Sequence, residues 1–133
     1  MAENLEIVRR IYEVLMQTGE PAWEVIAADF EFDASGVMPD MPPGRGREEA
    51  GRMLRSYSEM FEDFRIDLEE VIAADDEHVV TAVKDGGRMK GSDAEVWNRF
   101  FHAFTLREGK VVRWSSHLER AAALEAAGIA DEI

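Results

Sequence analysis

Residues 94–128 constrain the fold more than any other part of the chain. They read AEVWNRFFHAFTLREGKVVRWSSHLERAAALEAAG. Two runs of aromatic and β-branched residues flank the pair Glu108-Gly109, which is typical of two strands joined by a tight turn. An alanine-rich helix closed by Gly128 follows the second run. Two long paired strands that lead into a short terminal helix favour a curved sheet that holds a cavity, so a functional site is first sought there.

The length and the composition favour one ordinary domain. The chain has 133 residues, of which 46% are hydrophobic and 32% are charged, which is typical of a globular protein with a single core. No apolar run approaches the roughly 18 to 20 residues that span a membrane, and the N-terminus MAENLEIVRR lacks the apolar segment of a signal peptide. We therefore expect a single cytoplasmic domain over residues 1–133 that has no membrane partner.

The charged and metal-binding residue types exclude several classes of function. The chain has no cysteine, so disulfides, thiolate nucleophiles and thiolate metal sites are excluded. The net charge of −13 opposes binding to a phosphate backbone, and the 15 basic residues form no dense block. The three histidines, His78, His102 and His117, lack the spacing of metal ligands. We expect no nucleic acid partner, no metal and no cofactor.

The first half of the chain is mostly helical in pattern. Leu5, Val8, Tyr12 and Leu15 recur at helical spacing and lie before Gly19. The patterns in this half predict a helix over residues 3–18, a short helix that starts at Pro21 and includes Trp23, Val25 and Ile26, a strand over residues 30–33, a Pro/Gly-rich loop over residues 34–46 and a helix over residues 47–62. The loop is long enough to act as a lid.

The second half of the chain reads as a meander of strands. We predict strands over residues 64–73, 78–85, 96–106 and 110–118, turns at residues 75–77 and 85–87, and a helix over residues 119–127. Strands that short turns connect are expected to be antiparallel neighbours. Helices followed by such a meander predict an α+β architecture with a bent sheet around helical cover.

This order of elements, which ends in FTLREGKVVRW and a helix with LEAAG, resembles the nuclear-transport-factor-2-like (NTF2-like) cone fold. Within that fold the chain resembles SnoaL-like polyketide cyclases and relatives of ketosteroid isomerase. The resemblance covers essentially the whole chain. It implies a strongly bent mixed or antiparallel sheet wrapped around N-terminal helices, with a short C-terminal helix. The fold hosts isomerases, cyclases, hydrolases, dehydratases and binding modules, so it specifies a scaffold and not a reaction.

Three polar residues are candidates for catalysis. Tyr12 shares the apolar stripe of its helix and should face inward, and Gly19 follows it seven positions later, a spacing that matches the oxyanion-donor tyrosine of the ketosteroid isomerases that the chain resembles. Asp33 ends a strand before the loop, similar to that family's proton-shuttling aspartate, and apolar surroundings would raise its pKa. His102 falls where the resemblance places a protonated aspartic acid of the oxyanion hole.

The residues expected to line the site follow from strand alternation. Asn98, Phe100 and Phe104 share a strand face with His102, and Trp114 and Ser116 in the next strand are expected to face the same volume. Met38 and Met60, with Met41 and Met53, would make the pocket adaptable to an apolar molecule.

A base, a phenol and an imidazole in an apolar cone suit removal of a proton α to a carbonyl and stabilisation of the enolate. The expected function is therefore a small-molecule isomerase, cyclase or dehydratase in which Asp33 takes the proton, Tyr12 and His102 hold the oxyanion, and the loop restricts water. The alternative is a non-catalytic homodimer that binds a small apolar ligand. Convergence of the three polar groups on one cavity would favour the enzyme, and divergence would favour the binding module.

Each residue also has a structural interpretation. Tyr12 can be a core residue, His102 a half-buried imidazole with its hydrogen bonds satisfied, and Asp33 a carboxylate that caps the bend at Ser35-Gly36. Ser116 with Glu119 fits a capping box of the last helix.

Two further expectations concern relatives and assembly. Epoxide-hydrolysing relatives need an aspartate in the final strand, where WSSHLE offers serine, so epoxide hydrolysis is not expected. Trp97, Arg99 and Phe101 lie on the strand face opposite His102, and apolar residues on both faces favour a homodimer through the sheet.

Overall fold

Three α-helices and a six-stranded sheet make up residues 2–129, which the computed structural model describes. The elements in chain order are α1 (Ala2–Thr18), β1 (Ile26–Gly36), β2 (Gly44–Arg45), α2 (Gly46–Ser58), β3 (Arg65–Ala74), β4 (His78–Arg88), β5 (Glu95–Arg107), β6 (Lys110–His117) and α3 (Arg120–Ala126), and a single 3₁₀ turn covers Trp23–Val25 before β1.

The sheet has the strand order β2-β1-β6-β5-β4-β3. The four strands from β3 to β6 are antiparallel neighbours, as their short connections predict. By contrast, β1 pairs in parallel with β6, although the two strands are far apart in sequence. The result is an open mixed sheet with helices against it, which confirms the predicted α+β cone fold.

The two faces of the sheet have different cover. Val8, Ile11 and Leu15 of α1 and Leu54 of α2 pack in one buried cluster with inner-face residues of the sheet such as Phe104. On the outer face, α3 packs in a smaller cluster. Among the described residues, its buried members are Val80, Ala103, Ala123, Leu124 and Ala127. The helical stripe of α1 therefore lies against the concave side of the sheet, where the cavity described below is found.

Some predicted boundaries in the first half of the chain are wrong. The helix expected from Pro21 is one 3₁₀ turn, because β1 already begins at Ile26, which pairs with Val111 of β6. The loop is shorter than predicted, since β1 extends to Gly36 and the two residues of β2 pair back onto it. The irregular segment is thus reduced to residues 37–43, and the helix predicted over residues 47–62 ends at Ser58.

The turn predicted at residues 85–87 is also wrong. Asp85, Gly86 and Gly87 continue β4, and the chain reverses over residues 89–94 instead. Gly86 is paired with Trp97 of β5, and its φ of +146° is a conformation that L side chains rarely adopt. A Cβ at Gly86 would overlap the carbonyl oxygen of Val96. The glycine therefore permits close strand pairing, and Asp85 lies within the sheet as a consequence.

Candidate functional site

An apolar cavity of about 330 Å³ lies between the inner face of the sheet, α2 and the 37–43 loop. This volume is near the lower end of ligand sites, roughly 300 to 1,000 Å³, and is about twice that of a cavity of about 150 Å³ that binds benzene. It has room for a molecule of about two rings. Six residues that the sequence predicted to line the site do so: Met38, Met60, Phe100, His102, Trp114 and Ser116.

Two other predicted lining residues contribute from behind or beside the wall. Phe104 is fully buried and stacks on Trp114, with ring centroids 5.1 Å apart. Asn98 donates from Nδ2 to the Tyr57 hydroxyl at 3.2 Å. Both residues share the inner face with His102, as strand alternation predicts.

Tyr12 and His102 meet directly at one end of the cavity. The Tyr12 hydroxyl lies 2.7 Å from Nδ1 of His102 and 2.8 Å from Oγ1 of Thr81, which is paired with His102 across β4 and β5. Burial lowers the pKa of His102 to about 3, so its ring is neutral at physiological pH. Burial also raises the pKa of Tyr12 above its usual value. The phenol therefore holds the imidazole from behind, and His102 is the residue on the cavity wall.

Asp33 lies on the outer face of the sheet. Its neighbour Phe32 faces the cavity, while the Asp33 carboxylate accepts hydrogen bonds from Arg113 at 3.0 Å and from the Ser35 backbone at 2.9 Å. Burial alone would raise the pKa of Asp33, but the hydrogen bonds from Ser35 and the charges of Arg113 and His117 outweigh it and hold that pKa below its usual value. The expectation of a raised pKa is wrong. The contacts with Ser35 instead agree with the structural interpretation, in which the Asp33 carboxylate caps the bend at Ser35-Gly36.

The three predicted polar groups therefore do not all converge. Tyr12 and His102 form one cluster at the cavity, and Asp33 points to the opposite face of the sheet. The capping box of Ser116 with Glu119 is absent, because the residue before α3 makes no side-chain hydrogen bond that caps it. Instead Ser116 is paired with His102 across β5 and β6 and lines the cavity beside it.

A carboxyl group that the sequence interpretation missed lies in the cavity wall. Asp85 is 3% exposed and accepts a hydrogen bond from the Tyr57 hydroxyl of α2 at 2.6 Å. Burial raises the pKa of Asp85 to about 6, and the hydrogen bond from Tyr57, together with the nearby amide of Asn98, limits the shift. An acid with this pKa is mostly ionised at pH 7 and is more basic than an ordinary aspartate.

Strand alternation could have identified Asp85. Val79, Thr81, Val83 and Asp85 occupy every second position of β4 and pair with Phe104, His102, Phe100 and Asn98 of β5. The signal was hidden because Asp-Gly-Gly is also a typical turn sequence. The same register places Asp85 and the Thr81/His102 pair four residues apart, or ~13 Å along the strand. The cavity thus has a polar group at each end and an apolar wall between them.

Among the described residues, no cluster of three or more His, Asp or Glu side chains could hold a metal ion. Within the same part of the chain, no helix combines the length and the apolar character that crossing a membrane requires.

The sequence of residues 8–114 matches the family model of the SnoaL-like domain. The chain belongs to the SnoaL-like domain family. No curated protein matches it in sequence. The resemblance inferred from the order of elements is thereby confirmed at the level of the family.

Solved structures share the fold of this SnoaL-like chain. An NTF2-like protein of unknown function from Burkholderia pseudomallei is 19% identical, with a TM-score of 0.74 over 94% of this chain and 97% of that one. A proposed SnoaL-like polyketide cyclase from Jannaschia sp. CCS1 is 20% identical, with a TM-score of 0.74 over 98% and 94%. A protein with a ketosteroid isomerase-like fold from Catenulispora acidiphila, in complex with trimethylamine, is 18% identical, with a TM-score of 0.70 over 94% of each chain. Identities this low establish a shared fold and not a shared reaction.

The buried carboxyl of this SnoaL-like domain predicts a pH-dependent stability difference. The pKa of Asp85 rises from 3.8 to about 6 on folding, so the folded state binds the proton more tightly. The contribution of this carboxyl group to the free energy of unfolding is therefore fully present below about pH 4 and is lost as the pH rises through about 6. We expect Asp85→Asn to gain up to about 3 kcal/mol in free energy of unfolding relative to the wild type between pH 4 and pH 7.5. Urea unfolding of both proteins at the two pH values measures this gain, and an equal difference at both values would contradict it.

Proposed function

We propose that this protein is a small-molecule enzyme that applies acid–base chemistry to an apolar substrate with a carbonyl group, in a reaction of the isomerase, cyclase or dehydratase type. The observation that supports this most is the carboxyl of Asp85, whose pKa burial raises to about 6 in the wall of an apolar cavity. Groups tuned toward neutral pH in a cavity are typical of catalytic acids and bases.

Asp85 is the proposed base. Tyr57 donates to Oδ1 of Asp85, which leaves Oδ2 as the oxygen that takes a proton from carbon. The electron pair of the broken C–H bond passes into the carbonyl system and forms an enolate. Return of the proton from Oδ2 to a different carbon gives isomerisation. Attack of the enolate carbon on a second carbonyl, whose oxygen then takes this proton, gives ring closure. Departure of a β-hydroxyl group, which takes the same proton and leaves as water, gives dehydration.

The neutral ring of His102 and the Ser116 hydroxyl are the proposed partners of the substrate oxygen. They lie at the other end of the cavity from Asp85, with Phe100 on the wall between. A separation of ~13 Å along the strand favours a conjugated carbonyl, because conjugation carries the charge from the ionised C–H to a distant oxygen. Met38 and Met41 of the 37–43 loop border the cavity and would restrict water.

Hydrogen–deuterium exchange tests this proposal without knowledge of the natural substrate. The probe is an octalone, a bicyclic enone of two fused six-membered rings that fits the cavity volume, and deuterium uptake at its γ carbon is followed by NMR. We expect the protein to accelerate this exchange, with a rate that rises through about pH 6 as Asp85 ionises. Asp85→Asn should lower the rate by about 10² to 10⁴.

Asp33→Asn is the matched comparison, because it removes the same charge from the outer face of the sheet. We expect it to retain the exchange activity of the wild type. Loss of exchange in Asp33→Asn but not in Asp85→Asn would contradict the assignment of the base and would support the sequence-based one. Saturable binding of the octalone with no exchange in any variant would support the non-catalytic alternative.

We also propose that two chains associate as a homodimer through the outer face of β4 and β5. Trp97 of β5 is 38% exposed there, with the Lys84 ammonium 5.1 Å from its ring centroid. The other two residues predicted on this face have partners within the chain. Arg99 donates a hydrogen bond to Glu69, and Phe101 packs against the cluster around α3. An exposed indole on a sheet face is a typical anchor of an interface.

Light scattering after size-exclusion chromatography measures the assembly. We expect twice the 15.0 kDa of one chain, and a shift toward the monomer for Trp97→Lys. Val96→Lys is the control, since Val96 is equally exposed at 37% but points to the other face of β5. A wild type that stays monomeric at high concentration would exclude the dimer.

A further inference from the structure

Three buried side chains form a row of hydrogen bonds behind the cavity wall. Thr81 is fully buried, and its hydroxyl lies 2.8 Å from that of Tyr12. The Tyr12 hydroxyl lies 2.7 Å from Nδ1 of His102, which is also buried. Each hydroxyl has one proton to donate, and the neutral imidazole carries one proton on either of its two nitrogens. The positions of these protons decide what the imidazole can offer to a ligand.

The burial of Thr81 determines which group donates in each hydrogen bond of the row, and this is the direction of the row. Within the described residues, Tyr12 is the one hydrogen-bond partner of the Thr81 hydroxyl. If Tyr12 donated to Thr81, the Thr81 proton would be buried without an acceptor, which costs about 1 to 3 kcal/mol. If Thr81 and His102 both donated to Tyr12, the phenol proton of Tyr12 would be the one without an acceptor. The arrangement that satisfies both hydroxyl protons runs from Thr81 to Tyr12 and from Tyr12 to Nδ1 of His102.

This direction determines the second nitrogen of the ring. Because Nδ1 accepts the proton of Tyr12, the ring proton must be on Nε2. Over residues 2–129, no protein group is hydrogen-bonded to Nε2 of His102. A fully buried side-chain nitrogen or oxygen without a partner occurs once in this part of the chain, and it is Nε1 of Trp114 and not Nε2 of His102. Nε2 is therefore not sealed inside the protein. Since His102 lines the cavity, its N–H opens onto the space that a ligand would occupy.

We infer that Thr81 and Tyr12 are positioning residues, which hold His102 in the tautomer with the proton on Nε2 and so make this end of the cavity a fixed hydrogen-bond donor. The group that it selects is a hydrogen-bond acceptor such as a carbonyl or enolate oxygen, and not an ammonium or an amide N–H. The identity of this acceptor as the reacting carbonyl rests on the proposed function, whereas the tautomer does not.

A neutral donor of this kind suits a charge that forms during a reaction. The ring is neutral at physiological pH because burial lowers the pKa of His102 to about 3. It therefore stabilises a developing oxyanion by its N–H dipole, without the proton transfer that an imidazolium would make. The Ser116 hydroxyl, paired with His102 across β5 and β6, is a second potential donor at the same place. The other tautomer would present a lone pair to this space and would repel the same oxygen.

The tautomer can be read directly in the free protein. A two-bond proton–nitrogen NMR spectrum of isotope-labelled protein at about pH 7 distinguishes the protonated nitrogen of each imidazole, and the His102→Gln variant assigns the His102 signals among those of the three histidines. We expect His102 to carry its proton on Nε2. A proton on Nδ1 in the wild type would overturn the inference.

Three variants test the positioning role. Tyr12→Phe removes the group that occupies Nδ1, and we expect the Nδ1–H form of His102 to become populated, while Tyr57→Phe, which alters the other end of the cavity, should leave the His102 signals unchanged. Retention of the pure Nε2–H form in folded Tyr12→Phe would refute the role of Tyr12. In Thr81→Val the inferred direction keeps Tyr12 donating to Nδ1, so the tautomer should not change, whereas the opposite direction predicts a shift.

These outcomes are independent of turnover. If Tyr12→Phe fails to fold, the wild-type spectrum and that of Thr81→Val still decide the direction of the row. Asp85→Asn, which should abolish the proposed exchange, is expected to leave the His102 tautomer unchanged. An inactive protein with His102 protonated on Nε2 would therefore contradict the proposed function and support this inference, and an active protein with the proton on Nδ1 would do the reverse.

Discussion

The antiparallel pairing of β4 with β5 is the constraint on which the cavity and its chemistry depend. Side chains alternate between the two faces of a strand, so a slip of one residue would move every inner-face group to the outer face. The observed register places Asp85 opposite Asn98 and Thr81 opposite His102, with all four on the inner face. Close approach at Gly86 supports this register, because a side chain there would overlap the backbone of β5. One strand pair thereby positions a carboxyl at one end of the cavity and an imidazole at the other.

Burial acts on these two titratable groups in a common direction, which is toward the neutral form. It raises the pKa of Asp85 to about 6 and lowers that of His102 to about 3. The consequences for chemistry differ. At pH 7 the carboxyl is still mostly ionised and can accept a proton, while the imidazole is uncharged and can only donate or accept a hydrogen bond. Two groups whose environment assigns them different roles are the pattern expected of an acid–base site.

Much of the fold followed from the sequence, because it is encoded in local patterns. The helical stripe of α1 and the alternation in β5 and β6 predicted the elements, the inward direction of Tyr12 and the place of His102 on the cavity wall. These features depend on the spacing of residues within one element. The family resemblance added the cone fold, which local patterns alone do not specify.

The carboxyl groups were not placed in this way, because their environments depend on contacts between distant segments. Asp33 alternates with the inward-facing Phe32 along β1 and so lies on the outer face, where the parallel pairing of β1 with β6 brings the guanidinium of Arg113 to it. Asp85 precedes two glycines, and the local sequence is that of a turn. Only the pairing of Gly86 with Trp97 shows that β4 continues. In both cases a partner strand, and not the local sequence, determines the environment of the carboxyl.

The most direct measurement is a pH titration of the aspartate side-chain carboxyl carbons by NMR, with Asp33 and Asp85 assigned from their Asn variants. The account requires the Asp85 signal to titrate near pH 6 and that of Asp33 to titrate below 3.8, its usual value. An Asp85 carboxyl that titrates at or below 3.8 would mean that this group is an ordinary solvated or paired carboxylate, and the proposed base would be lost.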